Sequence, residues 1–317
     1  MVWGGQPAAY SAKPGLEFRV NPVVDYWFWL HALASDRETV PPGLEASVKA
    51  VELFQSLGRP ALLCHGLVYQ VEDVEALATA LVSTAKSLEA RAPGMEVAAQ
   101  DLQGTLVPGF QVFQSRYWPQ RQRRLAWRRF QWQRAWSAGG SACLEALRQD
   151  LKLPALQQSL PIYLVLQAPK PGGVTYRSRQ GAFAVVETSW QTPSLALEVC
   201  LHEALHIWHS RVRDRTSFFD EVLALTEGKS LSARDPFRGD FPHMFYFLFA
   251  GRGIRDHIDS DHLEYLVETG KLEQFEAMWK KGRLLFEKSP VLADWVAKMD
   301  DYFLKLEARR AKARARS

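Results

Sequence analysis

A glutamate flanked by two histidines carries the clearest chemical signal in the sequence. His202 and His206 lie four residues apart and Glu203 follows the first of them, in the run His-Glu-Ala-Leu-His. Four residues turn an α-helix by about 400°, so the two imidazoles project from one face about a turn apart. Two neutral imidazoles in this arrangement can share one Zn²⁺. Glu203 points to one side of them, where its carboxylate can reach a water on the metal without binding the metal itself.

The residues around this run favour a helix. Thr192 supplies a side-chain oxygen for a helix cap, and Pro193 suits the first helical position. Apolar residues then continue from Leu195 toward His209. A chance match to the motif falls more often on a loop or contains a proline, whereas this one lies in a capped apolar helix. The alternative is a pair of helix-surface histidines that bind no metal.

A catalytic zinc usually has three protein ligands and one open position. Glu221 is the favoured third ligand, because it lies at the start of the next predicted helix and the loop over residues 210–217 is long enough to fold that helix back. Glu227 is the alternative. It follows Glu221 by six residues and points to a different helix face, so the two carboxylates are not expected to bind one ion together.

Residues 218–224, Phe-Phe-Asp-Glu-Val-Leu-Ala, together with the His-Glu-x-x-His motif, resemble the gluzincin zinc metallopeptidases. In that family a glutamate on the following helix completes the metal site. The short spacing from His206 to Glu221 is more similar to the compact minigluzincins than to the large secreted members. The resemblance covers about residues 160–230 and implies a zinc enzyme that cleaves peptide or protein substrates. It also implies that residues 181–184 form the edge strand that pairs with substrate; a plain core strand is the alternative.

In such an enzyme, Glu203 is the expected general base. A further donor must stabilise the oxyanion beside the metal. His243, Tyr246 and Tyr176 are candidates, and the sequence does not choose among them. Asp220 either orients a histidine ligand through its second ring nitrogen or supplies a favourable charge at a helix N-terminus.

The other histidines receive structural interpretations. His209 is read as a surface residue or as a group that supports the ligands. His31 and His65 lie in the apolar N-terminal half, where we expect satisfied core or surface groups. Residues 256–262 are rich in Asp and His but lack the glycine and the terminal glutamate of a calcium loop, so a solvated helix junction is favoured.

The wider pattern predicts an α+β fold that is mostly helical. A small mixed sheet is expected to pack on the zinc-binding helix pair, with helical regions on either side. The predicted division is a helical N-terminal region over 1–158, a zincin-like catalytic core over 159–240 and a helical C-terminal region over 241–317. Short runs of strand-forming residues place the strands at 161–168, 174–178 and 181–188. Helices are expected at 113–136 and 141–151, separated by Gly139-Gly140.

Arginine is unevenly distributed along the chain. Seven arginines lie in the segment 116–134, interleaved with Trp127, Trp132 and, just beyond it, Trp136. The near-helical spacing of these tryptophans is explained by core packing without any ligand. Basic side chains among aromatics also suit phosphate contact and base stacking, so an acidic partner or nucleic acid is the alternative to a solvated helix face.

Composition excludes several classes of protein. Hydrophobic residues make up 47% of the 317 residues and charged residues 23%, as in globular proteins. The three cysteines have no CxxC spacing, which argues against a disulfide framework and a cysteine-based zinc site. No leader-like apolar start and no uncharged stretch of about 18 apolar residues is found, so we expect a cytoplasmic protein without a membrane segment.

Three functions are compatible with these features. A zinc metallopeptidase is favoured. The second is a regulator that binds nucleic acid or protein through the basic helix at 116–134 and keeps an inactive zincin-like scaffold. The third retains the zinc but hydrolyses amides of small molecules.

Overall fold

The computed structural model describes residues 14–36, 39–69, 71–168, 172–178, 180–190, 192–212, 217–227, 241–265 and 292–314. Helices predominate in these ranges, and a four-stranded mixed sheet lies among them. The fold is therefore α+β and mostly helical, as the sequence predicts. None of the described helices combines the length and the apolar character needed to cross a bilayer.

The first half of the chain is one strand followed by helices. Asn21 caps the first helix by accepting a hydrogen bond from the Val23 amide at 2.8 Å, and Asp73 caps the fourth through the Ala76 amide at 2.6 Å. A 3₁₀ turn at Cys64–Val68 follows the short helix at Arg59–Leu63, and a π-helical turn at Phe113–Tyr117 joins the two longest helices of this half. The elements are β1 (Leu16–Arg19), α1 (Pro22–Asp36), α2 (Glu45–Ser56), α3 (Arg59–Leu63), α4 (Val74–Leu88), α5 (Met95–Val112) and α6 (Trp118–Asp150).

The second half supplies the rest of the sheet and the helices around the histidines. Thr192 caps the histidine-bearing helix, and Ser217 and Asp220 form a capping box on the next one. The elements are β2 (Leu160–Val165), β3 (Gly173–Ser178), β4 (Gly181–Glu187), α7 (Pro193–His209), α8 (Phe218–Thr226), α9 (Phe241–His257) and α10 (Leu292–Arg314).

The strand order of the sheet is β1-β2-β4-β3. β1 pairs parallel with β2, β2 pairs parallel with β4, and β3 pairs antiparallel with β4. The prediction that residues 181–184 form an edge strand is therefore wrong: they lie in β4, inside the sheet, and the alternative reading of a core strand holds. The edge beside β4 is β3.

The two faces of the sheet pack against different helices. α7 lies against β2, β3 and β4, and α1 contacts β2. Side chains alternate between the faces of a strand. In β3, Thr175 contacts Glu203 of α7, whereas Tyr176 packs against Phe28 of α1 with ring centroids 5.4 Å apart. Thr175 therefore faces the histidine-bearing helix, and Tyr176 faces the opposite side of the sheet.

A buried ion pair fixes α6 to α1 and to the sheet. Arg121 donates two hydrogen bonds to Asp25, at 2.5 and 3.1 Å, and its guanidinium lies 4.4 Å from the ring centroid of Trp29. Asp25 also accepts a 3.0 Å bond from the backbone amide of Leu166, just after β2. The three elements are thus joined at one buried carboxylate.

α6 is a single helix, so the predicted break at Gly139-Gly140 is wrong. A Cβ atom at Gly139 would lie 1.8 Å from the carbonyl oxygen of His257. Glycine at this position allows the end of α9 to approach α6 closely. Gly139 therefore serves a helix–helix contact within a continuous helix, whereas Gly140 leaves room for the ring of Trp136 on the same helix.

Candidate metal centre

Three histidines from two helices converge at one point. α7 carries His202 and His206 on the same face, and α9 brings His243 to them. The Nε2 atom of His202 lies 2.9 Å from that of His243 and 3.3 Å from that of His206. The candidate ligand atoms of all three lie within 4.8 Å of one another, and in the described part of the chain this is the group that could hold a metal ion.

The spacing of these nitrogens fits a shared cation. Tetrahedral zinc with bonds of about 2.0–2.1 Å separates its ligand nitrogens by roughly 3.3 Å. The two separations from His202 are within a few tenths of an ångström of that value, and the ligand atoms of His206 and His243 lie within 4.8 Å of each other. Burial lowers the pKa of His202 well below its usual range, and burial followed by the nearby His243 lowers the pKa of His206 to about 3. Neutral imidazoles have the lone pair that a metal requires.

Glu203 lies beside this group and is held by the sheet. Thr175 donates a 2.7 Å hydrogen bond to its Oε2, and its Oε1 lies 3.9 Å from Nε2 of His202. Burial raises the pKa of Glu203 to about 7, against the opposing effect of the hydrogen bonds from Thr175. A carboxyl with this pKa exchanges its proton readily near neutrality.

A second chain of polar groups reaches the histidines from α8. Asp220 Oδ1 lies 3.4 Å from Nε2 of His209, and Nδ1 of His209 lies 2.6 Å from the hydroxyl of Tyr246. The Tyr246 ring stacks on the His206 ring with centroids 3.9 Å apart. Burial alone would raise the pKa of Asp220, but hydrogen bonds from Ser217 and the charge of His209 outweigh it and lower that pKa. Asp220 therefore supports His209 and caps α8.

Arg177 brings a positive charge to the same region. It lies two residues after Thr175 on the same face of β3, and its side chain is exposed. Its charge adds to burial and to the neighbouring histidines in lowering the pKa of His206. The sequence interpretation did not single it out, although an arginine that alternates with threonine on a short strand is a signal of a polar face.

No protein-family model, curated protein or solved structure gives a significant match to this chain. The resemblance to the gluzincins therefore remains a prediction that rests on the motif residues.

The structure brings together four of the six residues that the sequence placed at the site, and a fifth lies against them. His202, Glu203 and His206 are adjacent as predicted. His243 and Tyr246 were expected as oxyanion donors. His243 instead joins the ligand group, whereas Tyr246 lies against it through its stacked ring and its bond to His209.

Glu221, the favoured third ligand, does not join the group. Its side chain is 43% exposed and accepts a 2.8 Å hydrogen bond from Lys152. The inner face of α8 is taken by Phe219 and Val222, which are buried. Glu221 lies two residues after Phe219, so its side chain is rotated by about 200° around the helix axis from that of Phe219 and faces solvent. The alternative, Glu227, follows the last turn of α8 and is also exposed.

The remaining candidates lie elsewhere. Tyr176 packs on the opposite face of the sheet against His65, with ring centroids 5.3 Å apart, so it does not face the ligand group. His31 and His65 are buried core groups as expected, but only His65 fits the prediction of a satisfied group, since Nε2 of His31 has no hydrogen-bond partner among the described residues. The predicted solvated junction at 256–262 is wrong in part, because His262 is buried and lies 2.6 Å from Oε2 of the buried Glu198 on α7.

Proposed function

We propose that the protein is a zinc-dependent hydrolase, and specifically a metallopeptidase. The convergence of the His202, His206 and His243 Nε2 atoms beside the Glu203 carboxylate carries this proposal. Three imidazoles suit zinc, and three protein ligands leave one position for water or substrate. Zinc, when bound, makes a water acidic enough to ionise near neutral pH and polarises a carbonyl.

Glu203 is the general base in this proposal. It accepts a proton from the attacking water and later returns it to the leaving nitrogen. Burial raises its pKa to about 7 in the metal-free chain, which favours return of the proton to the leaving nitrogen. Thr175 keeps one carboxylate oxygen engaged, which leaves Oε1 directed toward the histidines.

Tyr246 takes the oxyanion role, since His243 belongs to the ligand group. His209 holds the Tyr246 hydroxyl, because its Nδ1 lies 2.6 Å from that oxygen and its Nε2 lies 3.4 Å from Asp220 Oδ1. We assign the Tyr246 hydroxyl hydrogen to the oxygen on which negative charge develops.

A peptide is the proposed substrate. β3 is the strand at the sheet edge beside α7, and its Thr175 contacts Glu203. The turn at Cys64–Val68 packs against the backbone of β3 at Arg177, so the proposed contact is with the part of the strand before that residue. An extended peptide laid along an edge strand gains affinity that tolerates many sequences. We therefore assign to β3 the role that the sequence gave to residues 181–184. The three cysteines are free and buried, which supports the proposed cytoplasmic location.

Metal content tests the proposal directly. The purified protein is loaded with zinc, dialysed and analysed by mass spectrometry of the metal. We expect about one zinc per chain, lost in His243→Ala and retained in the matched control Glu221→Ala. Loss in Glu221→Ala with retention in His243→Ala would contradict this ligand set.

Peptide cleavage tests the reaction. A tryptic peptide mixture incubated with the zinc protein should yield new termini, and Glu203→Gln should abolish them while zinc stays bound. Activity that survives in Glu203→Gln excludes Glu203 as the base. Absence of cleavage, with turnover of small amides, favours the amide hydrolase.

A second function is supported independently by α6. Residues 102–144 contain seven arginines and no acidic residue. We infer that this region binds a polyanion, whether or not the metal centre is active. Retention on immobilised heparin that falls with salt and is reduced by Arg123→Gln with Arg134→Gln tests this function. Passage through the column at low salt overturns it.

A further inference from the structure

Four residues form a ridge along the solvent face of α6. Arg123, Trp127, Phe130 and Arg134 recur at intervals of four, three and four residues. At 100° per residue they fall within about 60° of arc, and the ridge is about 16 Å long. We refer to these four side chains as the outer ridge.

The outer ridge lies opposite the side by which α6 packs on the protein. Trp118, Arg121, Leu125 and Trp132 are buried and mark that inner side. Their mean direction on the helix is about 180° from that of the outer ridge. The core-packing explanation therefore holds for Trp132, which is 1% exposed, and fails for Trp127, which is 58% exposed.

The two aromatic rings of the ridge form an exposed stacked pair. Trp127 and Phe130 have ring centroids 5.8 Å apart and an interplanar angle of 26°, and Phe130 is 54% exposed. Such a pair presents flat π-surface to solvent between two cations. Neither Arg123 nor Arg134 forms an ion pair with any residue that the structure describes.

Three possible occupants fit this surface poorly. A second copy of the chain would place like-charged arginines against each other across a twofold interface. A membrane surface requires a wide apolar face, and here two apolar side chains lie within a field of arginines. Duplex nucleic acid keeps its bases stacked inside the helix, where Trp127 and Phe130 cannot reach them.

We propose that the outer ridge binds single-stranded nucleic acid. Arg123 and Arg134 contact phosphates at either end, and the Trp127–Phe130 pair stacks on unpaired bases between them. This inference rests on the proposed polyanion function and assigns its ligand. An acidic protein would pair with the arginines but would give the stacked rings no partner.

Fluorescence anisotropy with a fluorescein-labelled oligo-dT of about twenty nucleotides, and with oligo-U of the same length, tests the proposal. Trp127→Ala with Phe130→Ala should weaken binding about tenfold or more, since both side chains are exposed and their loss should leave the fold intact. Arg123→Gln with Arg134→Gln should reduce the slope of log Kd against log salt by about 1.4. The exposed Leu63→Ala and Lys49→Gln serve as matched controls on other helices and should bind like the wild type.

Each result that contradicts the proposal excludes a different part of it. Unchanged affinity in the double aromatic variant, with weaker binding in the double arginine variant, overturns base stacking and leaves polyanion binding standing. Equal affinity for a duplex of the same length overturns the single-strand assignment. Competition by poly-glutamate as strong as that by unlabelled oligo-dT identifies an acidic protein partner instead. No binding to oligo-dT or heparin at low salt removes both the inference and the function on which it rests.

Discussion

The hydroxyl of Thr175 donates a 2.7 Å hydrogen bond to Oε2 of Glu203. The edge strand of the sheet therefore restrains the carboxylate that we propose as the general base. Burial raises the pKa of Glu203 to about 7, and the bonds from Thr175 act in the opposite direction. The strand thus influences both the position and the proton affinity of this group.

Thr175→Val should raise the pKa of Glu203 further. The substitution removes a hydrogen bond that favours the ionised carboxylate and leaves the shape of the side chain nearly unchanged. Because the base must be ionised, the acidic limb of the kcat/KM profile should move to higher pH. Thr175→Ser retains the hydroxyl and should keep the wild-type profile. An acidic limb that does not move in the valine variant would show that another group controls it.

Tyr246→Phe should reduce kcat by about 10²–10³ with little change in KM. The variant loses the hydroxyl assigned to the oxyanion but keeps the ring that stacks on His206 at 3.9 Å. Zinc content should stay at the wild-type level, which separates this effect from loss of the metal. A kcat within a few-fold of the wild type would remove Tyr246 from the mechanism.

The pair of candidate ligands on α7 could be predicted because helix geometry alone sets the relation between His202 and His206. His202, Glu203 and His206 depend on the 3.6-residue period and on the cap at Thr192, both readable from the sequence. His243 could not be assigned in this way, since it lies 41 residues after His202 and reaches it only through the packing of α9 on α7.

The misplacement of Glu221 has a physical cause. The sequence pattern at 218–224 predicts that Glu221 faces the metal site. The orientation of α8 is instead set by Phe219 and Val222, whose side chains are buried. Phe219 stacks on Tyr246 with centroids 4.0 Å apart and nearly parallel planes. The apolar side chains therefore occupy the inner face of the helix, and the charged residue between them goes to solvent.

The position of β3 at the edge of the sheet is consistent with its sequence, although the gluzincin resemblance favours residues 181–184 as the edge strand. Apart from its first and last residues, β4 is buried along its length, as expected for an interior strand. β3 carries Thr175 and Arg177 on one face, the alternation of a half-exposed strand. This pattern would have placed β3 at the edge.

Arg121→Met should destabilise the protein by about 3–5 kcal/mol. Asp25 is fully buried, and without Arg121 its carboxylate keeps the 3.0 Å bond from the Leu166 amide but loses its cationic partner. Adding Asp25→Asn should recover part of the loss, because the uncompensated charge is removed. Urea unfolding of the two variants measures both effects. A cost below about 1 kcal/mol for Arg121→Met would place this pair among weak surface bridges.

Acid should destabilise the metal-free protein through His65. Burial lowers the pKa of His65 to about 4, whereas the unfolded chain has the ordinary value of about 6.5. The folded state then binds fewer protons than the unfolded state between these values, so the stabilising contribution is complete above pH 6.5 and is lost as the pH falls toward 4. Between pH 7 and pH 5 the loss from this group is about 2 kcal/mol.

His65→Gln isolates this contribution, because glutamine does not titrate and can still accept the hydrogen bond that Trp27 donates to His65 Nδ1 at 2.9 Å. The variant is expected to be less stable than the wild type at pH 7. The difference in free energy of unfolding between the variant and the wild type should be about 2 kcal/mol smaller at pH 5, because only the wild type has a histidine that becomes protonated on unfolding. Urea unfolding at both pH values measures the difference. A deficit that is the same at pH 7 and pH 5 would show that His65 titrates alike in the folded and unfolded chains.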